Sequence, residues 1–177
     1  MECFVHPKTK ILILDYPNHK ELKEEILPVL KNYKDVQNKE TNVKATMTEW
    51  HISSLQIEYL KMFTLSHANK FLWHNPNCQF LDFWANIYRK GEHAIWHDHV
   101  PDHLAMVYFL KSKRYYSPLC FQSFGFNKRI FPKEGRLVIF PAHLKHNVPE
   151  HKYNGTRITL AGNIVATKYG NRPLVRR

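Results

Sequence analysis

The sequence predicts a mainly β protein with flanking helices, an antiparallel sandwich or jelly-roll, and three observations carry that expectation. Seven short β-prone runs, at 80–88, 93–99, 104–110, 119–122, 129–131, 136–140 and 156–166, follow one another at roughly even spacing, separated by turn signals. Two amphipathic helical patterns precede them, enough to cover one face of a sheet that water would otherwise reach. At 177 residues, without internal repeats or low-complexity tracts, the chain suits a single domain with one core.

The elements follow in order. Ile11 to Leu14 form a short apolar run closed by Pro17-Asn18, which reads as a buried strand. Residues 19–33 place Leu22, Ile26, Leu27, Leu30 and Tyr33 at helical spacing, although Pro28 should kink or shorten that helix. Residues 34–50 are polar and aperiodic, suiting an extended surface loop or an edge strand. Ser53 or Ser54 is a plausible N-cap for a second helix through Leu55, Tyr59, Met62, Phe63 and Leu65, ending before His74-Asn75-Pro76-Asn77. This divides the single domain into a helix-rich N-terminal support (1–78), a β core (79–166) and a basic tail (167–177).

Composition removes several function classes. Cys3, Cys78 and Cys120 are widely spaced and never paired as C-x-x-C, so neither a disulfide framework nor a zinc knuckle is indicated. No apolar run reaches the roughly 20 residues that cross a bilayer, and the N-terminus does not read as a signal peptide, so the expectation is a soluble, cytoplasmic protein. Phosphate-binding glycine loops and the G-x-S-x-G elbow are absent, and Cys120 sits in an apolar run where a buried thiol is expected. The net charge of +11 would attract polyanions. Lysines spread along the whole chain, however, with clusters only at Arg89-Lys90, Lys111 to Arg114 and Arg172 to Arg177.

Among the 12 histidines, one constellation stands out. His97 and His99 end the run Ile95-Trp96-His97-Asp98-His99, and side chains at i and i+2 of a strand share a face, about 6.6 Å apart along the chain. Two imidazoles on one strand need a third ligand from elsewhere. The segment Phe140 to Val148, with His143 and His146, offers it. His6, His19, His51, His67, His74 and His151 read as surface or core residues. A His-x-His pair alone is a weak motif.

Wider context strengthens it. Trp84-Ala85-Asn86, Gly91, Trp96-His97-x-His99 and Val107-Tyr108-Phe109 are followed by Pro132-Lys133-x-Gly135-Arg136-Leu137-Val138-Ile139-Phe140-Pro141. Leu144-Lys145-His146-x-Val148, Arg157-Ile158-Thr159 and Asn163 complete the series. Over residues 80–166 this resembles the iron(II)/2-oxoglutarate oxygenases of the prolyl-hydroxylase-like group, and the small size fits its phage and bacterial members. The resemblance implies a double-stranded β-helix, a cupin-like barrel, with His97, His99 and His146 binding iron(II) at its mouth and O2 as co-reactant. It implies that 2-oxoglutarate is clamped by Arg157 with help from the Thr159 hydroxyl, and that Tyr108 or Asn86 adds a hydrogen bond. A guanidinium suits that task because it pairs with a carboxylate through two parallel hydrogen bonds. A C–H bond in a prolyl or other peptide residue is the implied substrate, with a nucleobase or small metabolite behind it.

One departure stands out. The facial triad is two histidines and a carboxylate, written His-x-Asp, whereas this chain has His99 where the aspartate would be. Three alternatives follow: three histidines suffice, Asp98 or Asp102 serves, or the site is no longer an active iron centre. Strand alternation turns Asp98 to the opposite face and leaves Asp102 in reserve. Two other readings compete: a three-histidine cupin-type metalloenzyme without 2-oxoglutarate, and a basic nucleic-acid-binding β-barrel. The latter would stack bases on Trp73, Phe83, Tyr115 and Tyr116 beside Lys111, Lys113 and Arg114. Aromatic residues in barrels normally pack, which disfavours it. Substrate is expected around the mouth, at 34–50, 111–118 and 123–128, and the sequence gives no oligomeric state.

Overall fold

The computed structural model describes residues 2–6, 9–37, 39–72, 77–123 and 126–167. The basic tail beyond 167, Trp73 and His74 lie outside the described residues. Twelve strands and two helices follow in the order β1 (Glu2–His6), β2 (Thr9–Asp15), α1 (His19–Lys31), β3 (Val43–Lys44), β4 (Thr46–Met47), α2 (Leu55–Phe71), β5 (Asn77–Tyr88), β6 (His93–His97), β7 (Leu104–Lys111), β8 (Leu119–Ser123), β9 (Phe126–Ile130), β10 (Arg136–Pro141), β11 (Lys145–Val148) and β12 (Arg157–Thr167). They form a seven-stranded sheet, β1-β2-β10-β7-β12-β5-β4, facing a five-stranded sheet, β3-β6-β11-β8-β9. Every named pairing is antiparallel. The architecture is the expected double-stranded β-helix with flanking helices.

Period-2 alternation gives the large sheet two apolar faces. On β12, Ile158, Leu160 and Ile164 point outward into a core completed by Leu22, Ile26 and Leu30 of α1 and Ile57 and Leu60 of α2. The helices therefore cover one outer face. The inward residues of the same strands meet Phe121, Leu119 and Val148 of the small sheet. At Gly162 the neighbouring strand leaves no room for a side chain: a Cβ there would stand 2.7 Å from a Phe80 ring carbon and 3.0 Å from the Asp82 carbonyl.

The helices obey their sequence signals. Leu22, Ile26 and Leu30 form the buried stripe of α1, and Pro28, on the exposed side, leaves it running to Lys31. The hydroxyl of Ser54 accepts from the Ile57 amide at 3.3 Å and caps α2.

The stretch before residue 79 supplies more than support. β2 pairs with β10 inside the large sheet, while β3 and β4 extend both sheets. The polar 34–50 segment is ordered by Asp35, whose carboxylate accepts from the Met47 and Lys39 amides, both at 2.9 Å. Strands β1 and β11 had no counterpart among the predicted runs.

Candidate metal centre

His97 closes β6, and β11 pairs with it so that His146 lies directly opposite. Opposed residues on antiparallel strands point to the same face, so the two rings meet, with centroids 4.3 Å apart. His99 lies two residues beyond His97, its backbone fixed by a 2.8 Å bond from its amide to the Ala142 carbonyl. Its ring stacks on His146 at 5.0 Å and 20°. One nitrogen from each of the three residues lies within 4.8 Å of the others.

The polar contacts settle which nitrogens face inward. Nδ1 of His97 donates to the Ile95 carbonyl at 2.7 Å, and Nδ1 of His146 donates to the Leu144 carbonyl at 3.0 Å. Each bond fixes a tautomer whose Nε2 carries a lone pair, the arrangement that orients metal-binding imidazoles. The Nε2 atoms of His99 and His146 stand 3.3 Å apart. Two nitrogens about 2.1 Å from one ion stand roughly 3.0–3.4 Å apart at octahedral to tetrahedral angles. The donor set therefore fits a first-row transition metal.

Protonation does not compete at neutral pH. Burial holds His97 below the usual imidazole range and brings His99 down to about 4, with His97 beside it adding to the shift. His146 is held well below that range by burial, then by its two neighbours. Neither aspartate joins this group: Asp98 accepts from the Val100 amide at 3.3 Å, and the convergent set excludes both Asp98 and Asp102. His143 is exposed on the turn before β11.

Arg157 and Thr159 lie on the inward face of β12 and line the same cavity as the three histidines, together with Asn86, Trp84 and Tyr88. Arg157 is 0% exposed, and among the described residues none of its three side-chain nitrogens makes a well-formed hydrogen bond, although the Tyr88 hydroxyl lies close enough to favour its charged form. Its Cζ lies 4.8 Å from the Tyr88 ring centroid and 5.2 Å from that of Phe109. Two aromatic faces partly offset the desolvation of the cation, but its hydrogen-bonding capacity is unspent. Burial lowers its pKa, against the opposing influence of Tyr88. The cavity is about 30 Å³, room for a water-sized guest, so a five-carbon dicarboxylate would fit only if lining side chains gave way.

One sequence expectation changes here. Tyr108 points away from the cavity, into the helix-covered core, where its hydroxyl donates to Nδ1 of His19 at 2.6 Å. Strand alternation puts it out of reach of any guest beside Arg157. Asn86 does line the cavity, and its Oδ1 already accepts from the Trp84 indole at 3.0 Å. Tyr88 and Phe109, the aromatic faces around Arg157, were missed. The signal for Tyr88 was available, since it continues the alternation Trp84, Asn86, Tyr88. Of the stretches expected around the mouth, Thr41, Asn42, Met47 and Trp50 border a 130 Å³ recess beside His97 and His99.

Comparisons with known proteins agree with this geometry. Residues 82–163 match the family described as "Putative 2OG-Fe(II) oxygenase". No curated protein matches the sequence. A Pseudomonas putida prolyl-4-hydroxylase superposes with a TM-score of 0.69 at 15% identity, covering 92% of this chain and 95% of that one. A Trichoplax adhaerens prolyl hydroxylase, in complex with a hypoxia-inducible-factor peptide fragment, gives 0.69 at 15% identity over 88% and 83%. The viral collagen prolyl hydroxylase of Paramecium bursaria Chlorella virus-1, in its 2-oxoglutarate complex, gives 0.60 at 14% identity over 89% and 96%. At these identities the likeness is one of fold. The family match begins in β5 and ends in β12, bracketing the histidine group and Arg157, so residues 82–163 carry the likeness to the iron(II)/2-oxoglutarate oxygenases.

Proposed function

We propose that this chain hydroxylates a residue within a peptide, with His97, His99 and His146 holding iron(II) and Arg157 and Thr159 receiving the far carboxylate of 2-oxoglutarate. When bound, iron and cosubstrate supply the oxidising chemistry that places one oxygen atom of O2 on a substrate C–H carbon. The observation that carries this reading is Arg157: a fully buried cation whose three nitrogens make no well-formed hydrogen bond among the described residues, in the same cavity as the histidines. A buried charge is stable only when paired, so the cavity suits an anionic guest.

The residues divide the work. The Ile95 and Leu144 carbonyls orient two of the imidazoles, and burial keeps all three neutral, so no proton need leave before metal binds. Three neutral ligands leave the positive charge of the ion uncompensated by protein. A bound 2-oxo acid would supply that compensation, with the Arg157 guanidinium placed to receive its far carboxylate. Trp84, Tyr88 and Phe109 keep water from the guanidinium. A peptide substrate is supported by the peptide complex of the Trichoplax fold relative and by the recess at Thr41, Asn42 and Trp50, which borders His97 and His99.

Anaerobic titration with iron(II) and 2-oxoglutarate tests the proposal through the visible metal-to-ligand charge-transfer band. A band that needs both components, is abolished by His146→Ala and requires at least about tenfold more cosubstrate in Arg157→Leu is the expected result. Metal binding without a band would transfer the site to cupin-type chemistry without 2-oxoglutarate. No metal binding at all would reduce the histidines to a structural cluster.

A further inference from the structure

The net charge of +11 has no part in the hydroxylase chemistry, and the structure gathers some of it in one place. A groove of about 620 Å³ runs along the open side of the sandwich between β9, an edge strand of the small sheet, and the start of β10. Arg114, Lys128, Arg129, Lys133 and Arg136 line it. Its one carboxylate, Glu134, is tied to Lys23 Nζ at 2.6 Å and accepts from the Ser112 amide at 3.0 Å. Arg114 and Arg129 are exposed and form no salt bridge among the described residues, whereas Lys133 Nζ is held by the Asp15 carboxylate at 2.6 Å.

At one end the groove opens into a second recess of about 290 Å³, and Arg129 and Phe131 line both. Tyr115, Tyr116 and Tyr153 wall this second recess. Five large aromatic side chains are exposed among the described residues, and Phe131 (51%), Tyr115 (53%) and Tyr153 (41%) are three of them. The tyrosines pack on one another, Tyr115 edge to face on Tyr153 at 4.9 Å and on Tyr116 at 5.2 Å, and Tyr153 stacked on Tyr116 at 5.8 Å, yet Tyr115, Tyr153 and Phe131 each keep about half of their area open to solvent. A ladder of cations leading to an aromatic recess is the arrangement by which proteins hold a single strand, phosphates on the cations and bases on the rings.

We infer that this groove binds single-stranded nucleic acid, with phosphates along Arg114, Lys128 and Arg129 and a base in the recess walled by Phe131, Tyr115 and Tyr153. An acidic peptide would satisfy the cations but leave the aromatic recess without a planar guest. A duplex hides its base faces and could use only the cations. The inference does not depend on the hydroxylase reading, because none of these residues lines the histidine cavity.

The test is fluorescence anisotropy of the full chain with a 20-residue oligo-dT, an abasic phosphodiester of equal length, the corresponding duplex and a poly-glutamate peptide. Oligo-dT should bind at least about tenfold more tightly than the abasic strand, since each stacked base adds to the binding. Its affinity should fall with salt at a logarithmic slope of about −2, as three phosphate contacts require. Arg114→Ala with Arg129→Ala should reduce that slope by about 1.4, and Phe131→Ser should erase much of the preference for bases. Both variants should keep the wild-type thermal midpoint and the anaerobic charge-transfer titration, which separates a failure of the groove from a failure of the metal site. Equal binding of the abasic strand or the duplex would make the groove a plain polyanion patch. Preference for poly-glutamate would make it a peptide site, and no binding at low salt would remove it; each outcome overturns the inference.

Discussion

The two faces of β12 carry opposite demands on the same eleven residues. Outward, Ile158, Leu160 and Ile164 lock the sheet to two helices through apolar contact. Inward, Arg157 and Thr159 are buried just as deeply, at 0% and 2% exposure, yet among the described residues Arg157 makes no well-formed hydrogen bond. One face is satisfied as it stands and the other is not. The lesson is that alternation lets one central strand store stability on one side while holding an unsatisfied, ligand-seeking group on the other, with no loop between them.

The largest expected effect comes from the satisfied face. Leu160 is 0% exposed in the core beneath the helices, so Leu160→Ala should cost about 2–5 kcal/mol in urea denaturation, from lost burial plus the cavity left behind. Metal and cosubstrate titrations below the unfolding transition should be unchanged. A loss of cosubstrate affinity matching the loss of stability would show that the faces are coupled and break the comparison.

Arg157→Leu sharpens it from the other side. Replacing a buried, unpaired cation with an apolar side chain should raise stability by about 1–4 kcal/mol while weakening cosubstrate binding. Stability and binding would then move in opposite directions at a single residue. If Arg157→Leu unfolds the chain instead, the packing of the guanidinium on Tyr88 and Phe109 is structural, and the contrast between the faces disappears.

How much of this was legible follows the same alternation. β5, β7, β10 and β12 were readable because each is long, apolar and bounded by turn signals, and sheets of this kind bury both faces. The His97–His99 pair was readable because i and i+2 share a strand face. β11 was not: Lys145–Val148 is four residues with a single aliphatic, and its strand geometry comes from pairing with β6 and β8 rather than from local preference. His146 was therefore anticipated as a residue after a turn, although it sits within a strand opposite His97. Tyr108 illustrates the complementary failure. The resemblance drew it toward the cosubstrate, while its parity on β7 sends it to the helices, where burial pushes its phenol pKa up and His19 is its partner.

Acid exposes the inner face next. In the unfolded chain His99 takes up its proton near 6.5, whereas folded His99 does so only at about 4, so between those values the unfolded state binds more protons. Its contribution to stability is present above pH 6.5 and is lost as pH falls through that window. His97 and His146, also lowered by burial, act in the same direction. The urea midpoint of metal-free protein should drop from pH 7 to pH 4, with a slope below about 1.4 kcal/mol per pH unit for each histidine. His99→Gln should flatten the curve by up to one proton. A flat profile in the wild type would mean that the imidazoles meet solvent freely and that the inner face is less dry than its burial indicates.

The smallest effect tests how the outer face is held. The Ser54 hydroxyl accepts from the Ile57 amide and starts α2, whose Ile57 and Leu60 press on the sheet. Ser54→Ala should cost about 1 kcal/mol, the usual worth of an N-cap, because helix formation is cooperative and a frayed first turn loosens the contacts that follow. The charge-transfer titration should not change. A shift in that titration would mean that α2 governs the cavity through β5, against which it packs, so that the outer layer tunes the inner site rather than merely covering the sheet.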